Sequence, residues 1–599
     1  MSMSPVKIAI AANLVLRDRA PAANRLGKHM FFVALATDYD GTLAKHGIVD
    51  AATLDAVKRA KRSGRKLIMV TGRELSDLLP LFPELDVFDL IVAENGATLY
   101  EPASKEETAL APAPSPELVA LLEREGVKPL SAGRSIIATW EPNEAIVLRA
   151  IRDLGLELQI IFNKGAVMVL PAGINKASGL AAAIERLGLA PHNIVGIGDA
   201  ENDHAFLELC GCGVAVSNAL PALMEKVHHV TRAAAGAGVV ELCELLIETD
   251  LEGIAPTLPA RRPVLGFEED GGELCLDPRE GPLLIAGSSG GGKTTTVTSL
   301  LERMSALNFQ FCVIDPEGDY ADAGHTVTLG HPSDPQTVEE VLSALSRPDI
   351  SAIVNLLAVP LADRPAFLAK LLPELSHLRG KTGRPHWIVI DEAHHLLPAD
   401  WDPARLSLPR ELPGLILVTV HADQLPKELL GAVETVIGVG NEPHEAAVQF
   451  SLAAELEPPP AMPIDKDARQ AYVWNVGGSA RVVSIGEPKA MRQRHVRKYA
   501  EGELGEDLSF YFRGPSDKLN LRAQNLSIFM QIAAGVDEAT WLHHLRQGDY
   551  SRWFAEIIKD ESLADEARAI EGDETLSPEQ SRKRIEEAIS RRYTAPAKQ

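Results

Sequence analysis

The sequence predicts two α/β units in tandem, each on a mostly parallel sheet, followed by a small all-α C-terminal domain. Three observations lead there. Short apolar runs alternate with helical patterns in two separate series, a stretch rich in Pro, Gly and charge divides them, and the C-terminal part keeps apolar residues three and four apart. The length agrees: 599 residues at about 150 per domain give a prior of about four domains.

Residues 1–29 carry Lys7, Arg17, Arg19, Arg25 and Lys28 against the single acid Asp18, and are expected as an extended or disordered leader. Met30 is a candidate start, directly before the strand-like run Phe31 to Thr37. A targeting peptide is the alternative, without a clear cleavage site. From 30 to 251 the runs FFVALATDYD, KLIMVTGR and DLIVAENGATLY alternate with helical stretches such as AATLDAVKRAKRSG, a βαβ rhythm. Residues 252–280 read as a linker with a small hairpin. A second βαβ series spans 281–488, in LLIAG, FCVIDPEG, AIVNLLAV, WIVIDEA and LILVTVH. From 499 to 599 the pattern is helical: KLNLRAQNLSIFMQ is assigned to helix, as are the groups Trp541, Leu542, Leu545 and Trp553, Phe554, Ile557, Ile558, with Gly548-Asp549 as stop and cap between them.

At 46% hydrophobic, 24% charged and 5% aromatic, the composition is that of ordinary globular proteins and excludes disordered and fibrous classes. Acids outnumber bases 83 to 59, a formal charge of −24, which raises the electrostatic cost of holding a long phosphate backbone. A nucleic-acid partner is therefore possible but unsupported; the basic cluster Arg492, Arg494, Arg497 and Lys498 reads as a solvated linker. The 5 cysteines are odd in number and lack zinc spacing, so reduced structural thiols are expected. No run approaches the roughly 18 apolar residues of a membrane span.

The first constellation is Asp38-Tyr39-Asp40-Gly41-Thr42 at the end of the first strand, where two acids two apart on extended chain face one side. Thr71-Gly72-Arg73 closes the next strand, Lys176 opens a helix, and Gly198-Asp199-Ala200-Glu201-Asn202-Asp203 closes a later strand. All stand at the carboxyl ends of strands, where open sheets bind ligands. In this order the four motifs resemble the haloacid dehalogenase (HAD) superfamily of phosphatases, and AENGA and GVAVSNA resemble its Cof-type branch.

The resemblance implies a Rossmann-like sheet with an α/β cap inserted at about 101–170, and a Mg²⁺-dependent phosphomonoester hydrolase. Asp38 is implied as nucleophile, Asp40 as general acid and base, and Thr71 and Lys176 as holders of the phosphoryl oxygens. Asp199 and Asp203, with Asp38 and the Asp40 carbonyl, are implied as the metal site, with Gly41, Thr42, Gly72, Arg73 and Asn202 supporting it. The cap, with Arg134, Trp140, Glu141 and Asn163 as candidates, would select a small sugar-phosphate or phosphoglycolate-like metabolite.

The second constellation is Gly287-Ser288-Ser289-Gly290-Gly291-Gly292-Lys293-Thr294, followed by Thr295, which fits G-x-x-x-x-G-K-[ST] between a strand and a helix. Backbone N–H groups of such a loop wrap phosphates, its lysine reaches the outer ones, and the Thr294 hydroxyl can bind Mg²⁺. WIVIDE ends in Asp391, placed to hold the metal's water shell, and Glu392, placed to polarise an attacking water. His394 and His395 read as helix surface or core rather than zinc ligands. VIDPEGDY, DEAHH and the polar end of LILVTVHADQLPKEL together resemble HerA- and FtsK-type ATPases, which implies a RecA-like domain binding ATP and working as a homo-oligomer. His421 falls at the γ-phosphate sensor position, and Arg410 is the candidate arginine reaching a neighbour's nucleotide. An ATP motif implies a cytoplasmic setting. The expected function is a phosphatase fused to an ATPase; the alternative is an ATPase motor on DNA or protein with an accessory phosphatase.

Overall fold

The computed structural model describes residues 30–163, 165–252, 261–288, 290–320, 326–331, 335–397, 413–465, 469–486, 504, 509–515, 518–558, 560–573 and 575–593. The expected leader, the 492–498 basic cluster, Ser289 and Arg410 lie outside the described residues.

In chain order the first unit contributes β1 (Ala34–Thr37), β2 (Lys66–Val70), β3 (Leu90–Ala93), β4 (Thr98–Glu101), β5 (Glu106–Ala109), β6 (Ser131–Ala132), β7 (Ile137–Trp140), β8 (Leu158–Asn163), β9 (Ala166–Pro171), β10 (Ile194–Gly198), β11 (Cys212–Ala215) and β12 (His229–Val230). Its main sheet runs β12-β11-β10-β1-β2-β3-β4-β5, parallel from β12 to β3 and antiparallel beyond. The central strands ALAT, LIVA and IVGIG are buried along their whole length, as sheets covered on both faces require. Helix Ala51–Arg62, whose N-terminus is capped by Asp50 accepting the Thr53 N–H, packs against helix Ala235–Thr249 on one face.

The cap is a second, antiparallel sheet in the order β6-β7-β9-β8. One face packs on helices Pro116–Arg124 and Glu144–Asp153, and the other carries Ile136, Met168 and Leu170 against Ala97 of the main unit. The expected cap boundary at 101 is corrected: β5 pairs with β4 in the main sheet, so the cap's own elements begin at Pro116.

The second unit contributes β13 (Val264–Phe267), β14 (Glu273–Cys275), β15 (Leu283–Ala286), β16 (Phe311–Asp315), β17 (Thr326–Leu329), β18 (Ser351–Asn355), β19 (Trp387–Ile390), β20 (Leu415–Thr419), β21 (Thr435–Gly438), β22 (Gln470–Asn475) and β23 (Ala480–Ser484). Their order is β14-β13-β23-β22-β21-β15-β20-β19-β16-β18-β17, parallel from β21 to β17. Thus β20 separates the phosphate-loop strand β15 from the acid-bearing strand β19. Helix Lys293–Ala306 covers one face, and Arg364–Thr382 and Pro443–Ala453 cover the other.

The C-terminal region packs helices around buried Trp541, Tyr550, Trp553 and Phe554. It also holds a hairpin of Phe510–Phe512 with Leu521–Ala523, so LRA of the assigned helix KLNLRAQNLSIFMQ pairs as a strand. The helix there starts only at Leu526, after the Asn525 side chain accepts the Ile528 N–H.

The two α/β units meet at the starts of their strands. Asn193, directly before β10, donates to Phe31 O (2.9 Å) and to Gly383 O of the second unit (3.3 Å). The His192 ring stacks on Phe309 at 3.9 Å and reaches Leu307 O at 2.7 Å. Arg384, wholly buried, donates to Gly188 O at 2.6 Å. No helix among the described residues is long and apolar enough to cross a membrane.

Candidate active sites

Asp38 follows β1 and Asp199 follows β10, adjacent strands from which the chain's connections run to opposite sides, the place where a parallel sheet opens a crevice. The Asn175 side chain accepts the N–H groups of Ala177 and Ser178, so the helix begins at Lys176 and aims it from the first turn. Lys176 Nζ donates to Asp38 Oδ1 at 2.6 Å and to Asp203 Oδ1 at 2.5 Å. Asp203 Oδ2 accepts the N–H groups of Asp199 and Ala200, each at 2.9 Å, tying the lysine to the turn that carries Asp199.

Ligand atoms of Asp38, Asp199 and Asp203, all buried, lie within 4.8 Å of one another, the only such group among the described residues. Burial and then the Asp203 charge raise the Asp38 carboxyl to about 7, against the pull of Lys176. Burial also works against the Lys176 charge, but Asp203 and Asp38 outweigh it and hold the ammonium above its usual range. Three buried carboxylates facing one ammonium form an oxygen donor set with uncompensated negative charge, which fits a hard cation such as Mg²⁺.

Asp40 faces a different partner. Arg73 grips it with a planar fork, Nε to Oδ2 at 2.6 Å and Nη2 to Oδ1 at 2.7 Å, while its guanidinium lies 5.6 Å from the Tyr39 ring centre. Thr71, buried, accepts the Arg73 N–H at 3.1 Å. Asn218 donates to Gly41 O at 2.9 Å, Thr42 is buried beside it, and Gly72 packs on the Asn95 side chain. Asn202 donates to Asn95 Oδ1 at 3.1 Å, and Asn95 donates to the Met168 sulfur of the cap at 2.8 Å.

Sequence reasoning noted Glu94 and Asn95 only within AENGA, without a role for either, and missed Met168. Glu94 and Asn95 hold the left-handed conformation, φ 52° and 51°, unusual for residues with a Cβ. The Glu94 carboxylate accepts the N–H groups of Arg134 (3.1 Å) and Ser135 (2.8 Å), strapping the cap to the main unit. The available signal was three polar or flexible residues, ENG, at the end of an apolar strand. Of the cap candidates, Arg134 pairs with Glu107, Trp140 is half exposed beside Gly165, and the Asn163 side chain lies outside the described residues.

In the second unit the phosphate loop joins β15 to helix Lys293–Ala306, and Gly290 (φ 73°) and Gly292 (φ 90°) take left-handed turns. A Cβ on Gly287 would lie 2.3 Å from Val439 O, so only glycine fits there. Gly291 packs on Gly440, and Lys293 Nζ donates to Gly287 O and Ser288 O, each at 3.2 Å. Thr294 and Thr295 are half-buried in the helix's first turn. At the end of β19, burial and the neighbouring Glu392 raise Asp391 to about 7, and burial raises Glu392, itself left-handed at φ 42°. His394 is buried, pushed down to about 4 by burial and by its neighbours His395 and His421, and its Nδ1 meets Thr419 Oγ1 at 3.0 Å. Thr419 Oγ1 also accepts the His421 N–H, which brings His421 to the cleft shared with Glu317, Glu392 and Gln424.

A family model for haloacid dehalogenase-like hydrolases matches residues 35–130 and 151–242. The phosphoglycolate phosphatase of Methanothermobacter thermautotrophicus is 31% identical over 217 residues, covering 35% of this chain and 96% of that protein. The chain belongs to the haloacid dehalogenase-like hydrolases. A second relative of this hydrolase, the phosphoglycolate phosphatase of Methanococcoides burtonii, is 26% identical over 237 residues, covering 37% of this chain and all (100%) of the relative. A solved haloacid dehalogenase-like hydrolase from Bacteroides thetaiotaomicron is 19% identical with a TM-score of 0.33, over 36% of this chain and 99% of that one. Behind the hydrolase head, a model described as the central domain of helicase HerA matches residues 275–378. The chain is therefore an enzyme that fuses a HAD hydrolase to a HerA-like P-loop unit.

Proposed function

We propose that the HAD head hydrolyses a small phosphate monoester of the phosphoglycolate class through an aspartyl-phosphate on Asp38, and that the HerA-like head binds and hydrolyses ATP. The observation that carries the first part is the Asp38–Lys176–Asp203 chain beside Asp199 at the sheet's crevice, beneath a cap held by Glu94.

Asp38 forms a bond from a carboxylate oxygen to phosphorus as the ester P–O bond breaks. Asp40 gives its proton to the departing alkoxide, then takes one from the water that attacks phosphorus and frees Asp38 as phosphate leaves. Lys176 and the Thr71 hydroxyl hold the equatorial oxygens, and Asp203 fixes Lys176. Asp38, Asp199 and the Asp40 carbonyl are the residues that would hold Mg²⁺, which supplies positive charge against the phosphoryl group when bound. Met168 and Asn95 close the cap side and exclude water.

In the second head Lys293 and the loop amides would bind the phosphates, Asp391 and Thr294 are the residues that would hold Mg²⁺, Glu392 would polarise water, and Thr419 and His421 would meet the γ-phosphate. The formal charge of −24 favours this reading over a DNA motor.

Phosphate release from 2-phosphoglycolate and a panel of sugar phosphates with Mg²⁺, on wild type beside Asp38→Asn, tests the first part. Asp38-dependent turnover of one small ester is expected; turnover unchanged in Asp38→Asn, or none across the panel, would sink it. ATP hydrolysis that survives Glu392→Gln would sink the second.

A further inference from the structure

The Arg73–Asp40 pair marks where the leaving alcohol lies. If Asp40 hands a proton to the ester oxygen, that oxygen comes within hydrogen-bond reach of the Asp40 carboxyl. Arg73 holds both oxygens of that same carboxyl, at 2.6 and 2.7 Å. A substituent two bonds from the ester oxygen therefore reaches the guanidinium at the position Asp40 now occupies.

The guanidinium is built to stay in place. Tyr39 lies beneath it, itself fixed by a 2.9 Å hydrogen bond to Gly47 O, and Thr71 Oγ1 holds the Arg73 N–H. Its side chain is 33% exposed and that of Asp40 36%, so both face open space. Lys176, only 2% exposed, is already held between Asp38 and Asp203 and offers nothing to a leaving group. A planar fork matches a carboxylate through two parallel hydrogen bonds, whereas a neutral alkyl group gains nothing from it.

We propose that Arg73 is the specificity-determining residue of the phosphatase: its fork exchanges Asp40 for a carboxylate on the leaving alcohol, so that the substrates are phosphate monoesters of 2-hydroxy acids. The inference rests on the phosphatase reading above. One exchange then does two things. It binds the second anionic group of the substrate, and it frees the Asp40 carboxyl to swing onto the ester oxygen. Esters of neutral alcohols leave Asp40 on Arg73 and forgo both.

The test pairs 2-phosphoglycolate with ethyl phosphate, which has a methyl group in place of the carboxylate. We expect wild type to favour 2-phosphoglycolate in kcat/KM, and Arg73→Ala to cut that preference at least tenfold. Arg73→Lys, which keeps the charge but loses the fork, should cut it as well. Calorimetric binding without divalent cation gives a readout free of turnover: Asp40→Asn, by releasing Arg73, should tighten 2-phosphoglycolate several-fold and ethyl phosphate less. Equal losses for both esters in Arg73→Ala, together with no selective tightening in Asp40→Asn, would overturn the assignment and leave Arg73 serving only Asp40. Wild type that turns over neither ester would refute the phosphatase reading itself, and the calorimetric comparison would still decide whether Arg73 selects the carboxylate.

Discussion

His386 donates its Nε2 proton to Asn193 Oδ1 at 3.0 Å, and this one hydrogen bond joins the residue before β19 to the residue before β10. The other ring nitrogen, Nδ1, accepts the Gln310 N–H at 2.9 Å, so the buried ring is neutral with the proton on Nε2. Each strand then runs on to its own acid, Asp199 from β10 and Asp391 from β19.

The junction is predicted to be acid-sensitive. Burial first, then the nearby His192, Arg384 and Arg379, hold the His386 pKa well below its usual value. The unfolded chain therefore binds a proton that the folded one does not. Stability contributed by the neutral ring is present above about pH 6.5 and is lost as pH falls from there toward the folded value, with a slope of at most about 1.4 kcal/mol per pH unit. Denaturant titrations from pH 8 to 5.5 should show a shallower slope in His386→Gln; an identical slope would rule this out.

Gly383→Ala should loosen the same junction. Gly383 has φ 72°, and a Cβ there would lie 2.3 Å from Asn193 Nδ2. The left-handed conformation alone costs about 1–2 kcal/mol with a Cβ, and Asn193 must move besides. Thermal unfolding should split into two transitions as the heads uncouple; a single transition at the wild-type temperature would contradict the assignment.

Cap closure should depend on Glu94. Its carboxylate holds two cap N–H groups, and hydrogen bonds to a charged group contribute about 1.5–3 kcal/mol each. Glu94→Ala is expected to raise KM for the small ester about tenfold or more and to speed proteolysis within the cap. Unchanged KM and protease resistance would mean that packing around Met168 suffices.

The two heads should fail separately. Asp38→Asn is expected to lower phosphate-ester turnover by at least about a thousandfold and to leave ATP hydrolysis in place, while Lys293→Ala does the reverse. Loss of both activities from either change in a folded protein would show that the sites are interdependent.

The motif residues were legible because each is a polar side chain at the carboxyl end of an apolar strand, where burial leaves no other use for it. Asp38, Asp199 and Asp391 announce themselves in this way, Lys293 through the glycine loop that precedes its helix, and the alternation of runs carried the order of elements. The partners of these residues were not legible. That Arg73 grips Asp40 depends on the packing of two loops 33 residues apart. That Glu94 straps the cap depends on two successive left-handed residues, which no periodicity encodes. Asn193, Arg384 and His386 belong to no motif, because their role arises only when the two sheets meet. The segment LRA drew a helical assignment from its apolar spacing, and pairing with Phe510–Phe512 overrode it.

The tail-to-tail seating of the strands has a consequence for traffic. β10 is 5 residues long and β19 is 4, roughly 3.3 Å each, so either pole lies some distance beyond the seam and they point away from it. Among the described residues the strand starts lie at the seam, and Asp199 and Asp391 stand at the opposite, carboxyl ends of β10 and β19. On the proposed function, metabolite and nucleotide would enter at separate ends of the molecule, and the strands that meet at the seam are the direct physical path between them.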